Sequence, residues 1–357
     1  MLKDIIHDKI SKDGPMTVAD YMSLCLGHPE YGYYMAKDPF GVAGDFTTAP
    51  EISQVFGEMI GAWLVQTWQD IGAPERFVLL ELGPGRGTLM SDILRISKKI
   101  SPEFYGVAKP YLVEMSPILI EKQKEALSDH GCTWVSSLSE ADIDCPILII
   151  MNEFFDALPV HQFVWDAKVE KWMERCISRN FEWCLAQPSF DPRFLSLSEA
   201  PKDGDIMEFS PVVASIMRNL CDLIVEYGGA LLSIDYGYTK SAYGDSLQAV
   251  CDHKYVDVLK DPGNADITYH VDFERISSIA SDAGLKVMPI TAQGCFLKAL
   301  GIEYRAEQLC SLNPSKREQI SNAVNRLVSD EDMGQLFKVL GVSQTGTKLL
   351  GFENVYI

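Results

Sequence analysis

The sequence predicts an α/β fold, a doubly wound and mostly parallel sheet with extra segments inserted between its strands. Short apolar runs alternate with amphipathic stretches from residue 52 onward, the rhythm of strand–helix–strand units. One run, Pro146-Ile-Leu-Ile-Ile-Met151, is apolar throughout, as a strand covered on both faces is. A glycine-rich loop, Glu81-Leu-Gly-Pro-Gly-Arg-Gly87, directly follows one strand and opens a helix.

Residues 1–50 read as a helical cap followed by a loop. They comprise a short helical stretch, the turn His28-Pro-Glu-Tyr-Gly-Tyr-Tyr34, and a glycine-bearing segment over 39–45. The first part of the sheet spans 51–165. It begins with the clearest helix, whose apolar residues Ile52, Val55, Phe56, Met59, Ile60, Trp63, Leu64 and Trp68 follow i, i+3, i+4 spacing. Thr48-Ala-Pro-Glu51 supplies a capping box before it. Strands are expected at 77–81, 111–114, 133–135 and 146–151, with helices over 88–96 and, capped by Ser116-Pro117, over 117–127. Residues 166–205, rich in Trp, Pro and Ser, break the rhythm and read as an inserted hairpin or lid. The sheet resumes over 206–238, with a helix at 211–227 and a strand at 228–235. Residues 239–270 read as an irregular insertion. The remainder, 271–357, holds a helix at 272–283, a strand at 285–290, a helical insertion over 297–340 and a last strand at 348–356.

Composition narrows the function before any motif is read. The 357 residues carry a formal net charge of −19. Such a field repels phosphate backbones and argues against nucleic acid as a partner. It favours a cationic substrate or a basic protein surface, although solubility alone would also account for it. The nine cysteines are odd in number and include no C-x-x-C pair, which fits a reducing compartment better than a disulfide framework. The first ten residues mix acids and bases and resemble neither a signal nor a transit peptide, so a cytoplasmic protein is expected. No run reaches the roughly 20 apolar residues of a membrane span. The six histidines are scattered, without H-E-x-x-H, and no metal site is expected.

Within residues 81–87 the glycines let the backbone turn tightly and approach a ligand that a side chain would block. The spacing is not the dinucleotide fingerprint G-x-G-x-x-G, which needs glycine where this chain has Thr88, and no G-x-x-x-x-G-K-[ST] occurs. The form E/D-x-G-x-G-x-G resembles the first motif of class I methyltransferases. Gly44-Asp-Phe-Thr-Thr-Ala-Pro-Glu-Ile-Ser-Gln-Val-Phe-Gly-Glu58 resembles the entry motif of the MidA family within that class. Asn152-Glu-Phe-Phe-Asp-Ala-Leu-Pro-Val-His161 is similar to that family's fourth-strand motif, and Ile234-Asp-Tyr-Gly-Tyr238 to its fifth. Asp252-His-Lys-Tyr-Val-Asp257, Pro262-Gly-Asn-Ala-Asp-Ile-Thr268 and Val271-Asp-Phe273 fit as well, in the family's order.

The resemblance implies a class I, Rossmann-like methyltransferase sheet with inserted lid segments and S-adenosyl-L-methionine as cofactor. For mitochondrial relatives it implies methylation of an arginine on a respiratory complex I subunit. The expectation for this chain is therefore a bacterial cytoplasmic enzyme with a basic protein as substrate, a respiratory-complex subunit among the candidates, and a homodimer as an open assembly state. The implied cofactor residues are Glu81, Gly83, Gly85 and Gly87 in the loop, together with Glu114, whose carboxylate can accept both ribose hydroxyl bonds. Asp45 and Thr48, with Thr47, would cover the cofactor from the N-terminal side. An exposed strand end is the alternative for Glu114, and a helix cap would explain Thr48.

Methyl transfer from a sulfonium is an in-line displacement, so the protein mainly aligns nucleophile, methyl and sulfur. An arginine nucleophile stays protonated and its lone pair is delocalised. Carboxylates can hold such a group bidentately and take its proton. Glu153 and Asp156, after the fourth strand, are the catalytic candidates, and a turn would also account for Asp156. Phe154, with Phe155, would wall the target from water. His253 and Asp266 are the further substrate-binding candidates, although loop polarity would explain both. Asp235 and His161 rank behind them. Two other readings stay open: a small-molecule methyltransferase whose insertions enclose a metabolite, and a non-catalytic assembly factor on the same fold.

Overall fold

The computed structural model describes residues 1–36, 48–195 and 197–353. The chain divides into two compact units, each assembled from three segments. Met1–Phe46, Phe155–Ile216 and Lys240–Asp272 form one; Thr47–Phe154, Met217–Thr239 and Phe273–Ile357 form the other.

The second of these carries the doubly wound sheet. Its strands are β1 (Phe77–Leu82), β2 (Ala108–Val113), β3 (Thr133–Val135), β4 (Ile147–Asn152), β5 (Gly229–Tyr238), β6 (Lys286–Val287), β7 (Thr291–Ala292) and β8 (Phe337–Ser343). The order across the sheet is β6-β8-β5-β4-β1-β2-β3, with β7 beside β8. Strands β5, β4, β1, β2 and β3 are parallel, whereas β8 runs antiparallel to both β5 and β6. Every residue of β1 and β4 is buried, which is why these strands are nearly continuous apolar runs. The strand order reverses between β1 and β4. Open α/β sheets bind ligands at such a switch point, beyond the carboxyl ends of the strands.

Helix α1 (Gln54–Asp70) packs on α2 (Thr88–Ile100) at close range. A Cβ added at Gly57 would lie 2.5 Å from Asp92 Cβ, and one added at Gly61 would lie 2.4 Å from Ile96 Cγ2. Glu58, between these glycines, is buried. It accepts hydrogen bonds from Arg95 Nη1 at 3.0 Å and Arg305 Nε at 2.7 Å. Burial raises its carboxyl, but the bonds from the two guanidinium groups outweigh that and bring it below the ordinary range. Around these helices the core gathers Phe56, Trp63, Phe77, Phe104, Ile150 and Leu232.

Three expectations are corrected in this unit. The capping box at 48–51 does not form: Thr48 precedes a separate short turn, Ala49–Ile52, without a side-chain cap. Helix α1 starts later, capped by the Ser53 hydroxyl, which accepts from Val55 N at 3.2 Å. The last described strand is β8, whose first four residues, 337–340, fall in the stretch expected to be helical. It pairs with β5 from Ala230↔Ser343 to Tyr236↔Phe337, a long-range ladder that overrides local propensity. Residues 348–353 hold no strand; Leu349 and Phe352 are buried from a turn, so their apolar pattern marked burial rather than extended chain.

The first unit contains a five-stranded antiparallel sheet of Met16–Thr17, His161–Asp166, Lys171–Ile177, Trp183–Ala186 and Ile206–Phe209. Its larger core joins Ile6, Tyr21, Met22, Tyr33 and Ile267. Residues 239–270, expected to be irregular, include a three-stranded antiparallel sheet of Gln248–Cys251, Lys254–Val256 and Asp266–Thr268. Strands of three or four residues are too short for alternation to register in the sequence. Residues 155–165 and 206–216 group with this unit rather than with the parallel sheet. Among the described residues no helix is long and apolar enough to cross a membrane.

Candidate functional site

The loop joining β1 to α2 stands at the carboxyl end of β1, beside the switch point. Gly83, Gly85 and Gly87 adopt φ of 66°, 54° and 81°. This left-handed region costs an ordinary residue roughly 1–2 kcal/mol. At Gly83 space is also lacking, because a Cβ would lie 2.8 Å from Phe154 Cδ2. The loop therefore needs glycine for its turn and, at Gly83, for the approach of an aromatic ring.

Glu81, in β1, is 2% exposed, and its Oε2 has no hydrogen-bond partner among the described residues. Burial, and then repulsion from Glu114, push its carboxyl up to about 8. A buried acceptor left unpaired costs about 1–3 kcal/mol, so this oxygen is poised for a donor or a cation. Glu114 is the first residue after β2 and is not a loose strand end. Its Oε1 accepts from the backbone N–H groups of Met115 and Ser116, both at 2.8 Å. Its Oε2 accepts from Gln123 Nε2 at 3.1 Å. Burial raises the Glu114 carboxyl, and the bonds from Ser116, Gln123 and Met115 hold it back.

Gln123, on helix α3 (Pro117–Ala126), is the residue that sequence reasoning missed. It is fully buried, and its Nε2 also donates to Gly85 O at 2.7 Å. Trp134 Nε1 donates to its Oε1 at 2.9 Å. An indole N–H can only donate, so it sets the orientation of the amide and leaves both amide hydrogens for Gly85 and Glu114. One side chain thereby couples the glycine loop to the acid after β2. A signal was present: Gln123 is a polar residue on the i, i+4 stripe between buried Leu119 and Leu127.

Beyond β4, Glu153 has φ 52°, a left-handed conformation uncommon for a side-chain-bearing residue, with its N–H donating to Ile234 O at 2.9 Å. Its Oε1 accepts from Asn152 Nδ2 at 3.1 Å and Ala49 N at 3.3 Å. Asp235, buried on β5, accepts from Phe154 N at 3.2 Å and so holds the residue whose ring lies against Gly83. Thr48 is buried immediately before Ala49. Glu51, released from any capping role, accepts from the Thr88 hydroxyl and faces Arg86 Nη1 at 3.9 Å. Asp45 and Thr47 lie outside the described residues.

In the other unit Asp156 and Asp266 are both buried. Tyr34 Oη donates to Asp266 Oδ1 at 2.8 Å, and Asp156 O accepts from Tyr269 N at 3.2 Å. Burial, followed by the charges of Asp266 and Asp156, raises the Tyr34 phenol well above its ordinary range. In the sequence Tyr34 shows only as the end of a turn. His253 is exposed, and it follows Asp252 at φ 51° with its own φ at 58°. These two residues are the tip of a tight hairpin joining Cys251 to Lys254, and that backbone role accounts for both. His161 pairs through Nδ1 with buried Glu174 Oε1 at 2.6 Å, which occupies it as a structural partner.

In the sheet unit, a glycine cradle, a buried carboxyl oxygen with no partner among the described residues, and a second, oriented carboxyl group meet at the rim of a parallel sheet. A nucleoside carrying a cationic amino-acid end would fit residues of this chemistry.

Comparisons agree with that chemistry. Residues 59–291 match the family model described as "Putative S-adenosyl-L-methionine-dependent methyltransferase". The chain is 35% identical to the protein arginine methyltransferase NDUFAF7, mitochondrial, of Danio rerio, over 95% of this chain and 86% of that one. Against the Homo sapiens protein of the same name it is 35% identical over 94% and 82%. A Burkholderia thailandensis protein described as a "likely methyl transferase" and crystallised with S-adenosyl-homocysteine shares the fold, with a TM-score of 0.83 at 24% identity over 99% of this chain and 92% of that one. A native crystal structure from the same organism gives a TM-score of 0.80 at 25% identity, with the same shares covered. The chain belongs to this family of S-adenosyl-L-methionine-dependent methyltransferases.

Proposed function

We propose that the chain methylates an arginine side chain of a protein, with Glu81, Gly83, Gly85, Gly87 and Glu114 holding the cofactor and with Thr48 on the N-terminal side of that site. The observation that carries the acceptor class is the 35% identity, over 95% of the chain, to a protein named as an arginine methyltransferase. The acidic groups support it. Glu153 follows β4 in a strained conformation, and Asp156 and Asp266 are buried carboxylates in the other unit.

S-adenosyl-L-methionine supplies a methyl group activated on a sulfonium. Glu81 compensates the positive charge of its amino-acid end, and Glu114, oriented by Gln123, takes the ribose hydroxyls. Glu153 holds the guanidinium, localises its charge on the nitrogens that do not react, and accepts the proton that the new N–C bond displaces; Asp156 is the second catalytic candidate. Phe154 excludes water beside Gly83, and Asp266, oriented by Tyr34, contributes to binding the cationic acceptor. His253 has only a peripheral contact role in this scheme. A basic protein surface suits a chain of net charge −19 in a reducing cytoplasm, and a respiratory complex I subunit is the first acceptor to examine.

The test is to incubate extract from a strain lacking this gene with the purified protein and methyl-labelled cofactor, and to identify the labelled residue by mass spectrometry. Methylarginine on a protein is expected, lost with Glu153→Gln while cofactor affinity is retained. Label confined to small molecules would overturn the acceptor class.

A further inference from the structure

We propose that Cys176 and Cys184 form a reversible, oxidant-sensitive disulfide across the hairpin of the five-stranded sheet. The two residues are direct partners in the antiparallel ladder between Lys171–Ile177 and Trp183–Ala186. Directly opposite residues have Cα atoms about 4.5–5.5 Å apart, within the roughly 4.4–6.8 Å that a disulfide spans. They also project to the same face of the sheet. The eight-residue separation in sequence does not show this pairing; the register of the turn creates it.

Both thiols are free, Cys176 buried and Cys184 half-buried. Trp183–Ala186 pairs only with Lys171–Ile177 among the described strands, so Cys184 sits on an edge that a small oxidant can approach. Burial, then the neighbouring Glu174, Cys184 and Asp20, push the Cys176 thiol up to about 12, and burial raises Cys184 as well. Neither is a fast-reacting thiolate, so the bridge forms slowly, under sustained oxidant.

The oxidant is a peroxide. The Cys184 sulfur attacks one peroxide oxygen, the O–O bond breaks, and Cys184 sulfenic acid and water (or an alcohol) result. Cys176 sulfur then attacks the Cys184 sulfur. The S–S bond forms, the S–O bond breaks, and hydroxide leaves with the thiol proton as water. Two electrons have passed to the peroxide. The bridge requires Cβ atoms about 3.5–4.5 Å apart, whereas cross-strand pairs hold them about 4.5–5.5 Å apart. The strands must draw together, and a strained disulfide is easily reduced. Two equivalents of a small thiol therefore restore both cysteines.

The full-length protein would be treated with millimolar hydrogen peroxide, alkylated, and digested with trypsin without reduction. Cleavage after Arg175, Arg179 and Arg193 puts the cysteines on peptides 176–179 and 180–193, so the bridge appears as one linked species. We expect that species after oxidation, its loss on adding millimolar glutathione, and its absence in Cys184→Ser. Cys184→Ala replaces that variant if it does not fold. Oxidation of exposed Cys295 reports that the reagent has acted. With Cys295 oxidised, alkylated Cys176 and Cys184, a link from either to another cysteine, or a bridge that glutathione leaves intact would overturn the proposal.

Discussion

Glu81→Gln removes an ionisable oxygen from the floor of the glycine loop while keeping the shape of the side chain. In the folded chain burial, and then the charge of Glu114, hold this carboxyl up to about 8, against an ordinary 4.5. The folded state thus keeps a proton that the unfolded chain releases. The resulting stability is complete below pH 4.5 and is lost as pH rises towards 8. At about 1.36 kcal/mol per pH unit, the whole loss is about 5 kcal/mol. The neighbouring Cys132 thiol, raised to about 11 by burial and then by Glu81, stays neutral through this range. Without cofactor, urea unfolding should therefore find the glutamine variant several kcal/mol more stable than wild type, relative to pH 4.5, once pH 8.5 is reached. Cofactor reverses the preference, because its positive charge favours ionised Glu81. Near pH 6.5, calorimetry in two buffers of different ionisation enthalpy should show about one proton released per cofactor bound by wild type, with affinity rising up to about tenfold per pH unit towards pH 8. The cofactor's own amino group also titrates (a peptide α-amino group ionises at about 7.7–8.0), and the glutamine variant isolates that contribution. Equal proton release by the two proteins, with parallel pH–stability curves, would refute a buried, neutral Glu81.

Gln123→Leu removes the donors to Gly85 O and Glu114 and should raise KM for the cofactor at least tenfold, about 1.5–3 kcal/mol, with a smaller change in kcat. Trp134→Phe, which only frees the amide to turn, should lose less; identical kinetics for all three proteins would remove Gln123 from the site. Gly85→Val places a β-branched side chain at φ 54° and should abolish cofactor binding in calorimetry, whereas unchanged affinity would mean the loop is not the cradle. Glu58→Ala leaves Arg95 and Arg305 facing the gap between helices. Because both arginines keep solvent access, a loss of about 1–3 kcal/mol is expected in thermal or urea unfolding, and no loss would show that the ion pair contributes only geometry.

The parts of the fold legible in the sequence are those encoded locally. A buried parallel strand is an apolar run, a tight left-handed turn needs glycine, and a helix start is marked by Ser116 before Pro117; the structure has β4, the 83–87 loop and α3 at those places. The position of Glu114 directly after β2 was legible because its distance from the loop follows from one strand–helix–strand repeat. Tertiary structure alone decided which segments pair. It turned 337–343 into an inner strand through β5, and left Leu349 and Phe352 as buried turn residues. It also set Gln123 between Gly85 and Glu114, Glu51 on Thr88, and Tyr34 on Asp266. Those partners come from elements far apart in the chain, and periodicity reports which face of an element is covered, not what covers it. A polar side chain on a covered face must find a donor or acceptor there, and only the packed structure says which one it found.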